Sequence, residues 1–167
     1  DRVLEIGAAP GGKSTALAEA MDDRGTVVAL DLNPDRMPLI TAAATRLGLS
    51  AALPVVADGR ALPVPNGSFD RVLLDAPCSG LGVLRRRPDA RWRGTVARID
   101  ELARIQRDLL LAAAAALRPG GRLVYSVCTL TAEETSAIDA WAEAALPDLE
   151  AESPPGLPWT PVGRGAR

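Results

Sequence analysis

Short apolar runs of strand length alternate with helix-length segments along most of the chain. Arg2-Val3-Leu4-Glu5-Ile6 reads as a strand, followed by a glycine-rich turn from Gly7 to Gly12 and a helix through about Met21. A second strand, Thr26 to Leu30, ends at Asp31, and Asn33 and Pro34 then offer an N-cap and a first helical residue. That helix stops near Gly48. Leu53 to Val56 and Phe69 to Leu74 are the third and fourth strands. A long helix is expected over Ile99 to Leu117, closed by Pro119-Gly120-Gly121, and Arg122 to Val127 is a fifth strand. Thr131 and Glu134 have capping-box spacing for a last helix to about Leu146. Strands alternating with helices pair in parallel and are covered on both faces. The predicted fold is therefore α/β, a mostly parallel doubly wound sheet.

The composition removes several chemistries. There is no histidine, which excludes a Ser-His-Asp triad, a Cys-His pair and a His-ligated metal. Two cysteines are too few for a Cys-only zinc site, so no metal is expected. No apolar run reaches the roughly 18 residues that cross a bilayer. No secretory signal opens the chain. The matching expectations are no membrane partner, a cytoplasmic location and a monomer. A chain that opens at Asp1, directly before a strand, reads as part of a longer protein. Residues 1–150 are expected to form one domain, and 151–167 a Pro- and Gly-rich tail cut before the sheet's final strand or strands.

The net charge is −2, yet Ser79 to Arg107 holds eight Arg against three acids, a local balance of +5 that leaves −7 for the remainder. One basic segment on an acidic body suits either contact with a polyanion or a solvated face. A single lysine, Lys13, stands against 18 arginines.

In open α/β sheets ligands bind beyond the carboxyl ends of the strands. Glu5, Asp31, Asp58, Asp75 and Cys128 stand at those ends. Gly7-Ala8-Ala9-Pro10-Gly11-Gly12-Lys13-Ser14 satisfies GxxxxGK[ST], the phosphate-loop pattern, and Val72-Leu73-Leu74-Asp75 resembles its Mg²⁺-binding strand. A P-loop NTPase is thus one reading. Against it, Pro10 lacks an N–H for a phosphate and Glu5 would repel one. Carboxylates around a glycine turn suit a nucleoside that carries a cation. S-adenosyl-L-methionine is such a ligand, with Asp31 on the ribose, Asp58 at the adenine end, and Glu5 or Asp75 nearer the methionine part.

Cys78 follows the fourth strand and Cys128 ends the fifth, and these strands are expected side by side, so both thiols project from one edge. A cysteine is often only a small buried hydrophobe; two at adjacent ligand-side ends are harder to dismiss. The three segments Ala8-Ala9-Pro10-Gly11-Gly12-Lys13, Asp75-Ala76-Pro77-Cys78-Ser79-Gly80 and Tyr125-Ser126-Val127-Cys128-Thr129-Leu130 together resemble the RNA 5-methylcytosine methyltransferases of the RsmB/Sun family, and the resemblance runs to about Ala145.

The resemblance implies a Rossmann-like class I methyltransferase fold and methyl transfer from S-adenosyl-L-methionine to carbon 5 of a cytosine in RNA, rRNA first and tRNA second. It implies Cys128 as the nucleophile that adds to carbon 6, Asp75 as partner of the cytosine N3 and amino edge, and Cys78 as an aid to product release. It assigns Gly7 to Lys13, Asp31, Asp58 and Asp75 to the cofactor. Without histidine, a Cys128 thiolate needs another positive charge nearby, and Lys13 is the candidate. Arg85, Arg86, Arg87, Arg91 and Arg93 would meet RNA phosphates, with Trp92 either stacking on a base or sitting in the core. Two departures stand out: Gly7 where the family commonly has Cys, and Val127 where it commonly has Thr. A non-catalytic cofactor- or RNA-binding remnant is the remaining alternative.

Overall fold

The computed structural model describes residues 1–92, 94–152, 161–162 and 165–166, the last two pairs by backbone alone. The chain divides into two compact units, Asp1–Ala76 with Asp108–Ser126, and Pro77–Arg107 with Val127–Arg167.

The first unit carries the sheet. Strands β1 (Arg2–Ile6), β2 (Thr26–Asp31), β3 (Ala52–Val56), β4 (Phe69–Asp75) and β5 (Leu117–Ser126) pair in the order β3-β2-β1-β4-β5, parallel throughout. β1 is central because it is buried from Val3 to Ile6, whereas the edge strand β3 exposes Leu53, Pro54 and Val56. The strand order reverses between β1 and β4, so the ends of these two strands flank the switch point at which such sheets bind ligands. Helix α1 (Gly12–Ala20) and helix α2 (Met37–Leu47) pack on β1 to β3 through Val3, Ala18, Val27, Ala44 and Ala52. A second cluster, Ala8, Ala9, Ala29 and Ile40, lies beneath the glycine turn.

Local signals in the sequence explain the element ends. Asn33 accepts from the Asp35 N–H at 2.9 Å and caps a 3₁₀ turn, Pro34–Arg36, that leads into α2. Gly48, at φ +69°, ends α2. Two expectations need correction. Helix α3 spans Val96–Ala116, and β5 follows at once, so Pro119-Gly120-Gly121 lies within the strand rather than after the helix. The pairing slips there, from Phe69 opposite Leu117 to Arg71 opposite Arg122. Gly121 permits the bulge, since a Cβ would meet the Asp70 carbonyl at 2.8 Å. The last helix, α4 (Ser136–Ala145), begins five residues beyond Thr131, which does not cap it.

The second unit contains 3₁₀ turns at Leu81–Val83 and Pro88–Trp92, the part of α3 up to Arg107, and α4. Two-residue strands β6 (Pro161–Val162) and β7 (Gly165–Ala166) pair antiparallel. The rest of the expected tail, 153–160 and 163, 164 and 167, lies outside the described residues.

One side chain of β1 is anomalous for a core strand. Glu5 is only 1% exposed and accepts a hydrogen bond from the Ser14 hydroxyl. Burial raises its pKa to about 7; Ser14 and Lys13 oppose that rise, and Asp75 and Asp31 add to it. A carboxyl raised above its unfolded value of 4.5 stabilises the fold fully below that pH and loses the contribution as pH climbs through about 7.

Two outcomes are expected. Ile40→Ala, which empties the space under Ala8 and Ala9, lowers the unfolding free energy by about 2–5 kcal/mol in urea melts. Between pH 4.5 and 7.5, wild type loses stability relative to Glu5→Gln by up to about 3 kcal/mol, measured as the difference between paired melts. A difference that stays flat across that range would show that Glu5 ionises as an exposed carboxylate does.

Candidate active site

The cradle at the switch point belongs to the first unit. Gly7 turns the chain out of β1 at φ +84°, where a Cβ would stand 2.3 Å from the Asp75 carbonyl oxygen, so a side chain at this position forces backbone apart. The N–H groups of Gly7 and Ala8 both donate to the Leu30 carbonyl, at 2.9 and 3.0 Å, tying the turn to β2. Asp31, buried at the end of β2, fastens the next residues. Its Oδ2 accepts from the Ala9 N–H at 3.1 Å and its Oδ1 from the Asn33 N–H at 3.0 Å. Arg36 closes the frame by donating to the Ala9 carbonyl at 2.6 Å. Gly11, at φ +101°, sits so near α2 that a Cβ would be 3.0 Å from Ile40 Cα. Pro10, Gly12 and Lys13 form the exposed side of the loop, and a Cβ on Gly12 would meet nothing within 4 Å.

The two remaining acids of the cradle have partners. Lys13, the charge assigned above to Cys128, donates through Nζ to Asp75 Oδ2 at 2.5 Å and is committed to that carboxylate. Asp58 lies two residues beyond β3 and accepts from the side chain of Arg60 at 2.7–3.2 Å and from its backbone N–H at 2.9 Å; these bonds hold its carboxyl below the usual range. Asp58 and Arg60, with Asp108, Leu111 and Ala112, line an open hollow of about 500 Å³. Glu5, with Asp75 one of two acids expected nearer the methionine part of a cofactor, is buried in β1 and accepts a hydrogen bond from Ser14 of α1.

The thiols belong to the second unit. Cys78 Sγ lies 3.2 Å from Cys128 Sγ and accepts from the Cys128 N–H at 3.3 Å. Cys78 is half-buried and Cys128 exposed. Burial, reinforced by the neighbouring thiol, pushes the Cys78 pKa up to about 12, so it keeps its proton near neutral pH. The Gly82 N–H donates to the Cys128 carbonyl at 3.0 Å, and a Cβ on Gly82 would stand 2.9 Å from that oxygen. Arg85, Arg86, Arg87 and Arg91 are exposed. Trp92 is 75% exposed with the Arg91 guanidinium 4.5 Å from its ring centroid, which removes the core reading for it. Arg93 lies outside the described residues. Among the described residues, no group of three or more His, Cys, Asp or Glu is placed to hold a metal.

The sequence analysis missed a polar cluster behind the thiols. Glu134, fully buried, accepts from the Ser79 N–H at 2.9 Å, the Ser79 hydroxyl at 2.5 Å, Gln106 Nε2 at 3.0 Å and the Thr131 hydroxyl at 2.9 Å. Burial alone would raise its pKa, but the bonds from Ser79, Thr131 and Gln106 outweigh it and hold the carboxyl below its ordinary value. Gln106 also donates to the Pro77 carbonyl at 2.8 Å. One signal was legible. Gln106 interrupts the buried face of α3 between Leu102, Ala103, Leu109 and Leu110, and a polar side chain on such a face needs a partner. Glu134 was hidden because S/T-x-x-E is also the capping-box pattern.

Comparison with known proteins gives the family. A family model described as 16S rRNA methyltransferase RsmB/F matches residues 1–152. The chain is 43% identical over 151 residues to the ribosomal RNA small subunit methyltransferase F of an Enterobacter species, and 42% identical over 149 residues to that of Escherichia coli. Each alignment covers 88% of this chain and 31% of the relative, so the chain spans about a third of these proteins. The crystal structure of NSun6 from Pyrococcus horikoshii with SFG superposes with a TM-score of 0.77 at 36% identity, covering 87% of this chain and 37% of that one. The fold is accordingly the Rossmann-like methyltransferase fold, and the chain belongs to the RsmB/F family of 16S rRNA methyltransferases.

Proposed function

We propose that this chain is the catalytic part of an S-adenosylmethionine-dependent RNA methyltransferase, centred on residues 1–150, that methylates carbon 5 of a cytosine, in rRNA before tRNA. The observation that carries this reading is the thiol pair, Cys78 and Cys128 with sulfurs 3.2 Å apart and Cys128 exposed. Covalent activation of a pyrimidine needs one sulfur to add and later leave, and a second thiol within reach of the first suits the departure.

The cradle fits the cofactor. Its strand-end carboxylates, Asp31 and Asp58, offer acceptor oxygens to a nucleoside, and its one lysine is already neutralised by Asp75. That pairing also weakens the NTPase reading, since a P-loop lysine must face phosphates. Asp31 would hold the ribose, Asp58 the adenine end, and Gly7, Ala8, Ala9, Pro10, Gly11, Gly12 and Lys13 the methionine part. NSun6, a relative by structure, was solved with SFG, an analogue of S-adenosylmethionine. When bound, the cofactor supplies an electrophilic methyl group.

The protein's own residues do the rest. The Cys128 thiolate adds to carbon 6, forming a C–S bond and moving the electron pair of the 5,6 double bond into the ring. The ring N3 takes up a proton from solvent, and its N–H and the amino group donate to Asp75. Carbon 5, now enamine-like, accepts the methyl group. Loss of the carbon 5 proton to solvent restores the double bond and breaks the C–S bond. Cys128 leaves as a thiolate, with the protonated Cys78 donating a hydrogen bond to it, and N3 returns its proton. Overall, one C–H is replaced by C–CH₃ and one proton is released. Arg85, Arg86, Arg87, Arg91 and Arg93 would contact phosphates, and Trp92 would stack on a base. The target must leave any stack to reach the thiol.

Trapping tests the reading. RNA that carries 5-fluorocytosine blocks the final elimination, because fluorine cannot leave as a proton. With S-adenosylmethionine, wild type and Cys78→Ala should form a denaturant-stable protein–RNA adduct, and Cys128→Ala none. Loss of the adduct in Cys78→Ala with retention in Cys128→Ala would reverse the two roles. Its absence from all three, with RNA and cofactor bound, would remove the covalent mechanism.

A further inference from the structure

We infer that Glu134, braced by Gln106, is a positioning residue that sets the geometry of the two thiols for this reaction. The inference rests on the function proposed above, but its physical content, the placement of one sulfur against the other, can be measured independently.

Both peptides beside Cys78 are held by this pair. Gln106 Nε2 donates forward to the Pro77 carbonyl and sideways to Glu134 Oε1, and Glu134 Oε1 takes the Ser79 N–H. Cys78 therefore hangs between two fixed points. The Cys128 segment is reached through hydroxyls. A carboxylate only accepts, so the single Ser79 hydroxyl proton points at Glu134 Oε2, and the Thr129 hydroxyl must then donate to Ser79 Oγ, at 2.7 Å. Thr131 donates to the same Oε2. The charge of one buried carboxylate thus orients a relay, Thr129 to Ser79 to Glu134, that joins the residue after Cys78 to the residue after Cys128. The four donors that Ser79, Gln106 and Thr131 bring to this carboxylate are already more than a helix cap requires, and α4 begins only at Ser136. Charge-assisted bonds of this kind are the stronger class, and a fully satisfied buried network is rigid.

Removing the acceptor should therefore let the sulfurs drift. Two readouts follow it: closure of the Cys78–Cys128 disulfide by diamide, and turnover. In closure the two thiols give up two electrons and two protons to the diazene, which becomes a hydrazine. Measurements use the full chain, with S-adenosylmethionine binding as the folding control. In Glu134→Ala, closure should slow by roughly tenfold or more and kcat fall by about 10–100-fold, while KM for RNA stays within about threefold, because the loss is of positioning rather than of contact with RNA. Glu134→Gln should fall between wild type and Glu134→Ala, since the Ser79 and Thr131 hydroxyls can turn to accept from an amide. Closure and kcat at wild-type values in Glu134→Ala, with cofactor binding intact, would overturn the inference. If Glu134→Ala does not fold, Ser79→Ala, which removes the hydroxyl between Glu134 Oε2 and Thr129 and keeps the Ser79 N–H bond, is held to the same outcomes. If wild type transfers no methyl group to RNA, the proposed function fails, and the closure rates still decide whether Glu134 positions the thiols.

Discussion

At the exit of β1 there is no room for a side chain. The Asp75 carbonyl comes so near Gly7 that a Cβ would overlap it, and the φ of +84° is one that L-residues avoid. Much of the first unit's site follows from that close approach. The turn can lie against the end of β4, its N–H groups can reach Leu30, and Ala9 falls within reach of Asp31. Lys13, opening α1 with Gly12, then meets Asp75. A cysteine at this position would require a different path for the turn or a displaced Asp75.

The absence of histidine raises the question of how the proposed thiol reaction would keep its protons in order. The structure offers one part of the answer. Burial and a neighbouring sulfur hold Cys78 as a thiol, and in the proposed reaction the exposed Cys128 is the one that attacks. The residues that stiffen the pair are Glu134, Ser79, Thr129 and Gln106, all polar, three of them buried outright. Burying so much polarity is costly unless each group is bonded, and here Glu134 collects the donors of Ser79, Gln106 and Thr131.

The alternation of strands and helices was legible from residue 2 onward, because apolar runs of five or six residues bounded by glycine, proline and acids leave few other options. Strand ends were legible too, and with them Asp31, Asp75, Cys78 and Cys128. The misjudged boundaries share a cause. Pro119-Gly120-Gly121 carries local signals for a stop, yet pairing with β4 continues around it as a bulge. Thr131 and Glu134 carry the local pattern of a cap, yet stronger bonds from distant residues claim the carboxylate. In both cases a tertiary interaction outweighs a local preference worth about 1 kcal/mol.

The sequence by itself determined the fold class, the family and the residue types at the strand ends, since these depend on periodicity and on short contiguous motifs. Only the tertiary structure decided which of those residues carry free charge and which are already spent. It paired Lys13 with Asp75 and Asp58 with Arg60, buried Glu5 under Ser14, exposed Trp92, and brought Gln106 and Glu134 together behind the thiols. The physical reason is that a hydrogen bond needs its partners at about 3 Å, and the fold brings Lys13 to Asp75 and Gln106 to Glu134 across tens of residues, while the chain path sets which way Asp58 and Glu5 face their nearer partners.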